Sequence, residues 1–308
     1  MSKDVYVQPD APDPVLSNAL VLSLVRRHVS TAQAVTSVDE SGGEARTYAI
    51  DEDIILKVQR PQQLRPRTSL AKEVFFLQQM EAFPALSVPR VLGYGHESVL
   101  LEYTVMTRMP GVAMRHVSLT EDERAAVLVQ LGRTLRRIHA LPQAPFCESE
   151  LFPGDRTFVA VQQRFREYFA EMAEEFQTEG HSWPLSLSLQ AVGERVLASL
   201  PENAERVALH SNPYLEHTFV DPQAHTYLGT IDFGDAYLSH PAFDLRRWNR
   251  PAEREALLRG YTAEAPVSAA FMATWQAVMI LGDVIVMAYY PERAAQAADD
   301  LQQLLATL

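Results

Sequence analysis

Lys57 inside an apolar strand, Glu73 on the buried stripe of a helix, and His217 with Asp232 at the open end of a hairpin are the residues whose types and spacing fit chemistry. Ile54-Ile55-Leu56-Lys57-Val58 sets an ammonium group among aliphatic side chains, in a chain with three lysines and 24 arginines. Alternation turns Lys57 away from the Ile54/Leu56 face, so it is either an outward edge residue or a buried cation with a partner. Across residues 68–80, Leu70, Val74, Leu77 and Met80 mark a helical stripe, and Glu73 falls on it. A Lys57–Glu73 ion pair would settle the burial of both groups; a Glu73 at the solvated edge of the stripe needs no partner. Residues 217–221 and 226–232 read as two strands joined by Pro222-Gln223-Ala224-His225. A turn centred between Ala224 and His225 puts His217 directly opposite Asp232, with Cβ atoms about 4.5–5.5 Å apart, close enough to share a divalent ion or a plain hydrogen bond. Asp235 stands three residues further on as another carboxylate.

The elements that must position these groups fall into two regions. An amphipathic helix at 15–29 precedes strands at 34–37, 46–49 and 54–58, separated by turn residues that include Ser41, Gly42 and Gly43. The helix at 68–80 follows, then strands at 99–103 and 105–109, closed by Pro110-Gly111. From Thr120, a helix cap, the pattern is mainly helical: 120–141, 156–177, 186–199, 252–263 and 267–290, interrupted between Val207 and Asp232. The expected fold class is α+β, with a small N-terminal lobe at 1–112 carrying an antiparallel sheet and a larger, mainly helical lobe at 113–308. A cleft at such a join is where small ligands bind.

These residues carry a resemblance. Lys57, Glu73, the loop His210-Ser211-Asn212-Pro213-Tyr214-Leu215-Glu216-His217, Ile231-Asp232-Phe233-Gly234-Asp235 and the later His240-Pro241-Ala242-Phe243-Asp244-Leu245 resemble the aminoglycoside phosphotransferase family, whose fold is similar to that of protein kinases. The resemblance spans almost the whole chain and is most specific around Asp232. It implies that Lys57, positioned by Glu73, holds the α- and β-phosphates of ATP, with GTP as the second nucleotide, and that Asp232 binds Mg²⁺ bridging the phosphates. His217 takes the position of the second metal ligand, although an imidazole suits hard Mg²⁺ poorly. Ser41, Gly42 and Gly43 stand for a reduced glycine loop. The adenine would lie along 103–109 near Met106, and His210 and Asp244 would anchor the loop. Asn212 departs from the pattern: the family has an aspartate there that accepts the proton of the substrate hydroxyl, and an amide has no basic site.

The implied activity is ATP/Mg²⁺-dependent phosphoryl transfer to a small-molecule hydroxyl, impaired or abolished by Asn212. The alternative is a pseudokinase-like protein that binds nucleotide or metabolite. Composition agrees with a small-molecule partner. The formal charge of −12 opposes nucleic acid and favours an amine-bearing acceptor such as an aminoglycoside. Cys147 alone excludes an internal disulfide, the first residues lack the signature of a signal peptide, and the expected compartment is the cytoplasm. Residues 271–290 are long enough to span a bilayer, but Gln276, Gly282 and Asp283 at the centre mark a buried core helix. No GxxxxGK[ST], GxGxxG, GxSxG or HExxH occurs. For the acceptor, Asp283, Glu167, Glu171 and Trp275 are the candidate contacts.

Overall fold

The computed structural model describes residues 6–40, 42–66, 68–99, 101–179, 183–202, 205–248 and 250–308. These fall into two compact units. The first is built from residues up to Leu119 together with Ser149–Phe152 and His210–Ala236; the second comprises Thr120–Glu148, Pro153–Leu209 and Tyr237–Leu308. The chain therefore crosses between units several times, and residues 210–236, which a single boundary after residue 112 would assign to the helical part, make their contacts with the sheet unit.

In the first unit, Ser17 caps helix α1 (Asn18–Arg26), accepting a hydrogen bond from the Leu20 amide. Strands β1 (Val35–Asp39), β2 (Ala45–Ile50) and β3 (Ile54–Gln59) are followed by helix α2 (Leu70–Met80) and strands β4 (Val91–Ser98) and β5 (Leu101–Thr107). The sheet is antiparallel throughout, in the order β1-β2-β3-β5-β4. Val21, Leu24 and Val25 of α1 pack on Tyr48, Ile50, Ile54, Leu56, Val58 and Val105, forming the core on one sheet face. The alternation of β3 sends Lys57 to the opposite face.

Two strands expected at 99–103 and 105–109 are one strand, β5, and its neighbour β4 occupies a segment the pattern leaves unassigned. Gly93 and Gly95 hide β4, because glycine is depleted in strands. Gly93 is nonetheless required: a Cβ there would lie 2.1 Å from the His28 ring. Strand β6 (Val112–Ala113) ends this run and joins a second, three-stranded sheet described below.

The second unit opens with α3 (Glu121–His139), capped by Thr120, whose hydroxyl accepts from the Glu123 amide while the Glu123 carboxylate accepts from the Thr120 amide. Then come α4 (Ala144–Glu148), α5 (Phe158–Thr178), α6 (Leu189–Ser199) and β7 (Val207–Leu209). Strands β8 (Thr218–Val220) and β9 (Tyr227–Thr230) return to the first unit, where the order is β6-β8-β9. Strand β10 (Tyr237–Ser239) pairs with β7, and α7 (Pro251–Tyr261), α8 (Ala269–Tyr289) and α9 (Ala294–Ala306) complete the chain. Helices α3 and α7 approach closely where Gly132 passes the backbone of Leu257; a Cβ would meet the Leu257 carbonyl oxygen at 2.2 Å.

Among the described residues α8 alone is long and apolar enough to cross a membrane, and 67% of its apolar window is buried inside the unit. Its Asp283 is buried, 3.5 Å from Arg254. Burial pushes this carboxyl up to about 8, against the pull of Arg254. Because the folded state holds the Asp283 proton more tightly than the unfolded chain, its contribution to stability falls as pH rises from the ordinary 3.8 towards about 8. Asp283→Asn should therefore unfold at a urea concentration that declines less between those limits than the wild type's does. Parallel slopes for the two proteins would contradict this.

Candidate functional site

β3 holds Lys57 between Thr47 of β2 and Thr104 of β5. The ammonium donates to both carboxylate oxygens of Glu73 in α2, at 2.8 and 2.9 Å. The side chains are 13% and 1% exposed, so the buried ion pair is formed and the solvated alternatives for both residues are set aside. Ser69 fixes the start of α2 by accepting from the Lys72 amide, which places Glu73 on the first turn. One Glu73 oxygen also accepts from the Phe233 amide at 3.4 Å.

Lys57 also reaches Asp232 Oδ1, at 3.4 Å. The hairpin brings this about differently from the direct pairing expected. Asp221 accepts from the amides of Gln223 and Ala224, His225 adopts a left-handed φ of 54°, and Asp221 pairs with Thr226. The turn is thus centred one residue early, and a bulge between Phe219 and Val220 leaves Thr218 opposite Thr230. His217 consequently pairs through its carbonyl with the Ile231 amide at 3.0 Å. Asp232 lies beyond the pairing and turns back through a left-handed φ of 72°, which sets its Oδ2 3.2 Å from His217 Nε2.

The electrostatics follow from this geometry. Desolvation opposes ionisation of Asp232, but the Lys57 ammonium outweighs it and holds the carboxyl below the ordinary carboxylate range. For Lys57 desolvation is likewise outweighed, by Asp232 and Glu73, and its ammonium is held above the usual value. Burial pushes the Glu73 carboxyl up, against the opposing pull of Lys57.

His217 Nδ1 lies 2.8 Å from the Asn212 carbonyl oxygen, which only accepts, so Nδ1 carries the hydrogen. The lone pair of a neutral imidazole then sits on Nε2 and faces the Asp232 carboxylate. Such a pair is joined by a proton or by a cation between the two groups. Asp232, 40% exposed, keeps carboxylate oxygen within reach of a cation. Among the described residues no group of three or more His, Cys, Asp or Glu side chains is placed to hold a metal. Asp235 does not extend the pair: its carboxylate accepts from Arg65 Nη2 at 3.0 and 2.8 Å and from the Thr68 hydroxyl.

The loop carrying Asn212 is built around His210, fully buried. His210 Nδ1 accepts from the Asn212 amide at 3.4 Å, leaving Nε2–H to donate to Thr230 Oγ1 at 2.9 Å. The Thr230 hydroxyl donates onward to the His217 carbonyl at 2.9 Å, and Ser211 takes a left-handed φ of 80°. Thr230→Val preserves shape but strands the Nε2–H of buried His210 and leaves the His217 carbonyl with the Ile231 amide alone, so a loss of about 1–3 kcal/mol is expected in urea unfolding. A change inside ±0.3 kcal/mol would mean the relay carries no weight.

Gly42 and Gly43 lie between β1 and β2, where Arg60 Nη1 donates to the Gly42 carbonyl at 2.9 Å. Ser41 lies outside the described residues. Met106 is buried in β5 between Ile55 and Val91. In the second unit, Asp244 accepts from His139 Nε2 at 2.9 Å, both buried. Of the candidate acceptor contacts, Asp283 is taken up by the α8 core, Glu167 accepts from Gln163, Glu171 accepts from Tyr289 at 3.5 Å, and Trp275 Nε1 is buried without a hydrogen bond to any described residue. Arg65, with Glu44, was missed: a single arginine in a loop among 24 gives no periodic signal.

Comparison with known proteins adds to this geometry. The sequence model described as the phosphotransferase enzyme family matches residues 35–278. An aminoglycoside 3'-phosphotransferase of Streptomyces ribosidificus is 28% identical over 195 residues, 58% of this chain and 68% of the relative. Among solved structures, the GDP complex of wild-type aminoglycoside 2'-phosphotransferase-IIIa aligns with a TM-score of 0.60 at 14% identity, covering 95% of this chain and 99% of the other. The macrolide 2'-phosphotransferase MphH of Brachybacterium faecium aligns with a TM-score of 0.58 at 19% identity, covering 92% and 97%. At these identities the structural likeness is one of fold.

Proposed function

The chain belongs to the phosphotransferase enzyme family, and from that premise we propose that it transfers the terminal phosphoryl group of ATP to a hydroxyl of a small molecule. Its fold is the protein-kinase-like fold of that family, an antiparallel sheet unit followed by helices. The observation that supports the reading most directly is the convergence of Lys57, Glu73, Asp232 and His217, linked by contacts of 2.8 to 3.4 Å.

In this reading Lys57 binds the α- and β-phosphates, and Glu73 fixes the ammonium so that little is spent on ordering it when nucleotide arrives. Asp232 is the residue to hold a divalent ion, with His217 on its flank. Bound there, Mg²⁺ would neutralise phosphate charge as the bond to the leaving oxygen loosens. Gly42 and Gly43 let backbone amides approach the phosphates, and the base lies along β5 near Met106. GTP is the second donor to test, since one solved neighbour is a GDP complex.

Asn212 can orient an acceptor hydroxyl by hydrogen bonding but cannot take its proton. Phosphoryl transfer through a loose transition state depends chiefly on positioning and charge neutralisation, so the reaction proceeds without a strong base, more slowly. The acceptor class is an amine-bearing hydroxylated molecule: the chain is acidic overall, and its relatives include phosphotransferases named for aminoglycosides and macrolides.

The test is incubation with Mg²⁺ and either ATP or GTP against a panel of aminoglycosides and macrolides, with the product mass measured. A gain of one phosphoryl group on an acceptor is the expected result. No transfer, together with no nucleotide binding by calorimetry, would end this reading. Nucleotide binding with no transfer, also after Asn212→Asp, would favour the binding-protein alternative.

A further inference from the structure

Arg65 lies between β3 and α2, outside the Lys57–Glu73–Asp232 group, yet it is tied to the same region. Its Nε donates to Glu44, the residue after Gly42-Gly43, and its Nη2 donates to both oxygens of Asp235 at 3.0 and 2.8 Å. The remaining amino group, Nη1, bonds no described residue, and the side chain is 47% exposed. Thr68, three residues on, donates to Asp235 and packs its methyl group 3.3 Å from the Cβ position of Gly234, itself 3.7 Å from Asp232 Oδ1. The charges of Asp235 and Asp232 both bear on the Glu44 carboxyl, which desolvation in the first place holds above its ordinary value.

The guanidinium is therefore fixed on two sides by carboxylates, and both of those belong to segments flanking the nucleotide site: the glycine turn and the loop after Asp232. Two cations, Lys57 and Arg65, face four carboxylates, Glu44, Glu73, Asp232 and Asp235. Lys57 is enclosed by two of those carboxylates, whereas Arg65 keeps one amino group with two N–H donors uncommitted. A planar guanidinium held rigidly in this way suits bidentate or single donation to phosphate oxygen with little ordering on binding.

We propose that Arg65 is a second phosphate-binding cation of the nucleotide site, anchored by Glu44 and Asp235 and contacting the outer phosphates of the triphosphate through Nη1. The inference rests on the nucleotide reading given above. It also gives the shortened glycine turn a function: Glu44 positions an arginine where a longer loop would supply further backbone amides.

Calorimetric titration of the full chain with Mg²⁺ and ATP, ADP or AMP tests it, using wild type, Arg65→Gln, Arg65→Lys and Lys57→Ala. Loss of one charged hydrogen-bonding group should weaken ATP by about tenfold or more in Arg65→Gln while leaving AMP within about twofold. Arg65→Lys should recover part of the loss, because it restores charge without the fork. ATP affinity in Arg65→Gln within twofold of wild type, where Lys57→Ala abolishes binding, would overturn the inference and leave the nucleotide reading intact. Equal weakening of ATP and AMP would also overturn it, marking Arg65 as structural only. Should Arg65→Gln not fold, the ATP-to-AMP affinity ratio in Arg65→Lys decides: a ratio equal to wild type counts against the proposal. Wild type that binds none of the three removes the nucleotide reading and this inference with it.

Discussion

Lys57→Ala is expected to lower phosphoryl transfer by on the order of 10³-fold and to destabilise the sheet unit by about 3–5 kcal/mol. The two effects have one origin. Glu73 is 1% exposed, and among the described residues its carboxylate keeps only the Phe233 amide, at 3.4 Å, when the ammonium is removed. A buried carboxylate without a cation takes up a proton instead, so its folded-state value rises further above 4.5. A carboxyl whose folded value is raised favours folding only while it is protonated; the variant should thus lose stability as pH rises from about 4.5 through neutrality. Asp232, held below 3.8, contributes stability that is lost only on acidification, and Lys57, held above 10.5, contributes stability lost only in strong alkali.

Lys57→Met combined with Glu73→Leu separates folding from chemistry. Replacing both members of a buried pair by apolar groups of similar volume restores most of the stability but not the activity. Urea unfolding at several pH values, with phosphoryl transfer measured on the same samples, checks both expectations. Transfer by Lys57→Ala within about tenfold of wild type would remove Lys57 from the site.

Asn212→Asp is expected to raise turnover by about 10²–10⁴-fold, the usual contribution of a positioned general base. The backbone of residue 212 is already fixed: its amide donates to His210 Nδ1 and its carbonyl accepts from His217. A carboxylate introduced there inherits a preorganised loop. The KM for ATP should change little, since no phosphate contact is altered, and the rate should acquire an acidic limb as the new carboxyl titrates. Turnover unchanged by the substitution would show that proton removal does not limit the reaction and that orientation by the amide suffices.

The chemistry-bearing residues were legible to different degrees. Lys57 and Glu73 could be read because each violates a local pattern, an ammonium in an aliphatic strand and a carboxylate on an apolar stripe. The helix cap at Thr120 could be read from its residue type at the start of the helical pattern, and Glu123 completes it as a capping box. The pairing of His217 with Asp232 was anticipated as a contact but for the wrong geometry. Asp221 shifts the turn, the bulge shifts it back by less than needed, and the left-handed backbone at Asp232 makes up the difference. None of these three features has a periodic signature. Strand β4 was missed because two of its positions are glycines, Gly93 making room for His28 and Gly95 for Tyr103, and glycine weakens the strand pattern.

Amino-acid order alone determined which face of each element is dry, and so the sheet-then-helices plan and the family resemblance, and it marked Lys57 and Glu73 as candidates for a buried pair. Only the folded chain decided that Lys57 meets Asp232, 175 residues away, that Asp235 belongs to Arg65 rather than to a metal pair, and that residues 210–236 join the sheet unit. The reason is physical. Side-chain period is written every two or four residues and survives in any window of the sequence, whereas a contact between distant segments depends on the summed turn angles between them, where one bulge or one positive φ re-aims a functional group.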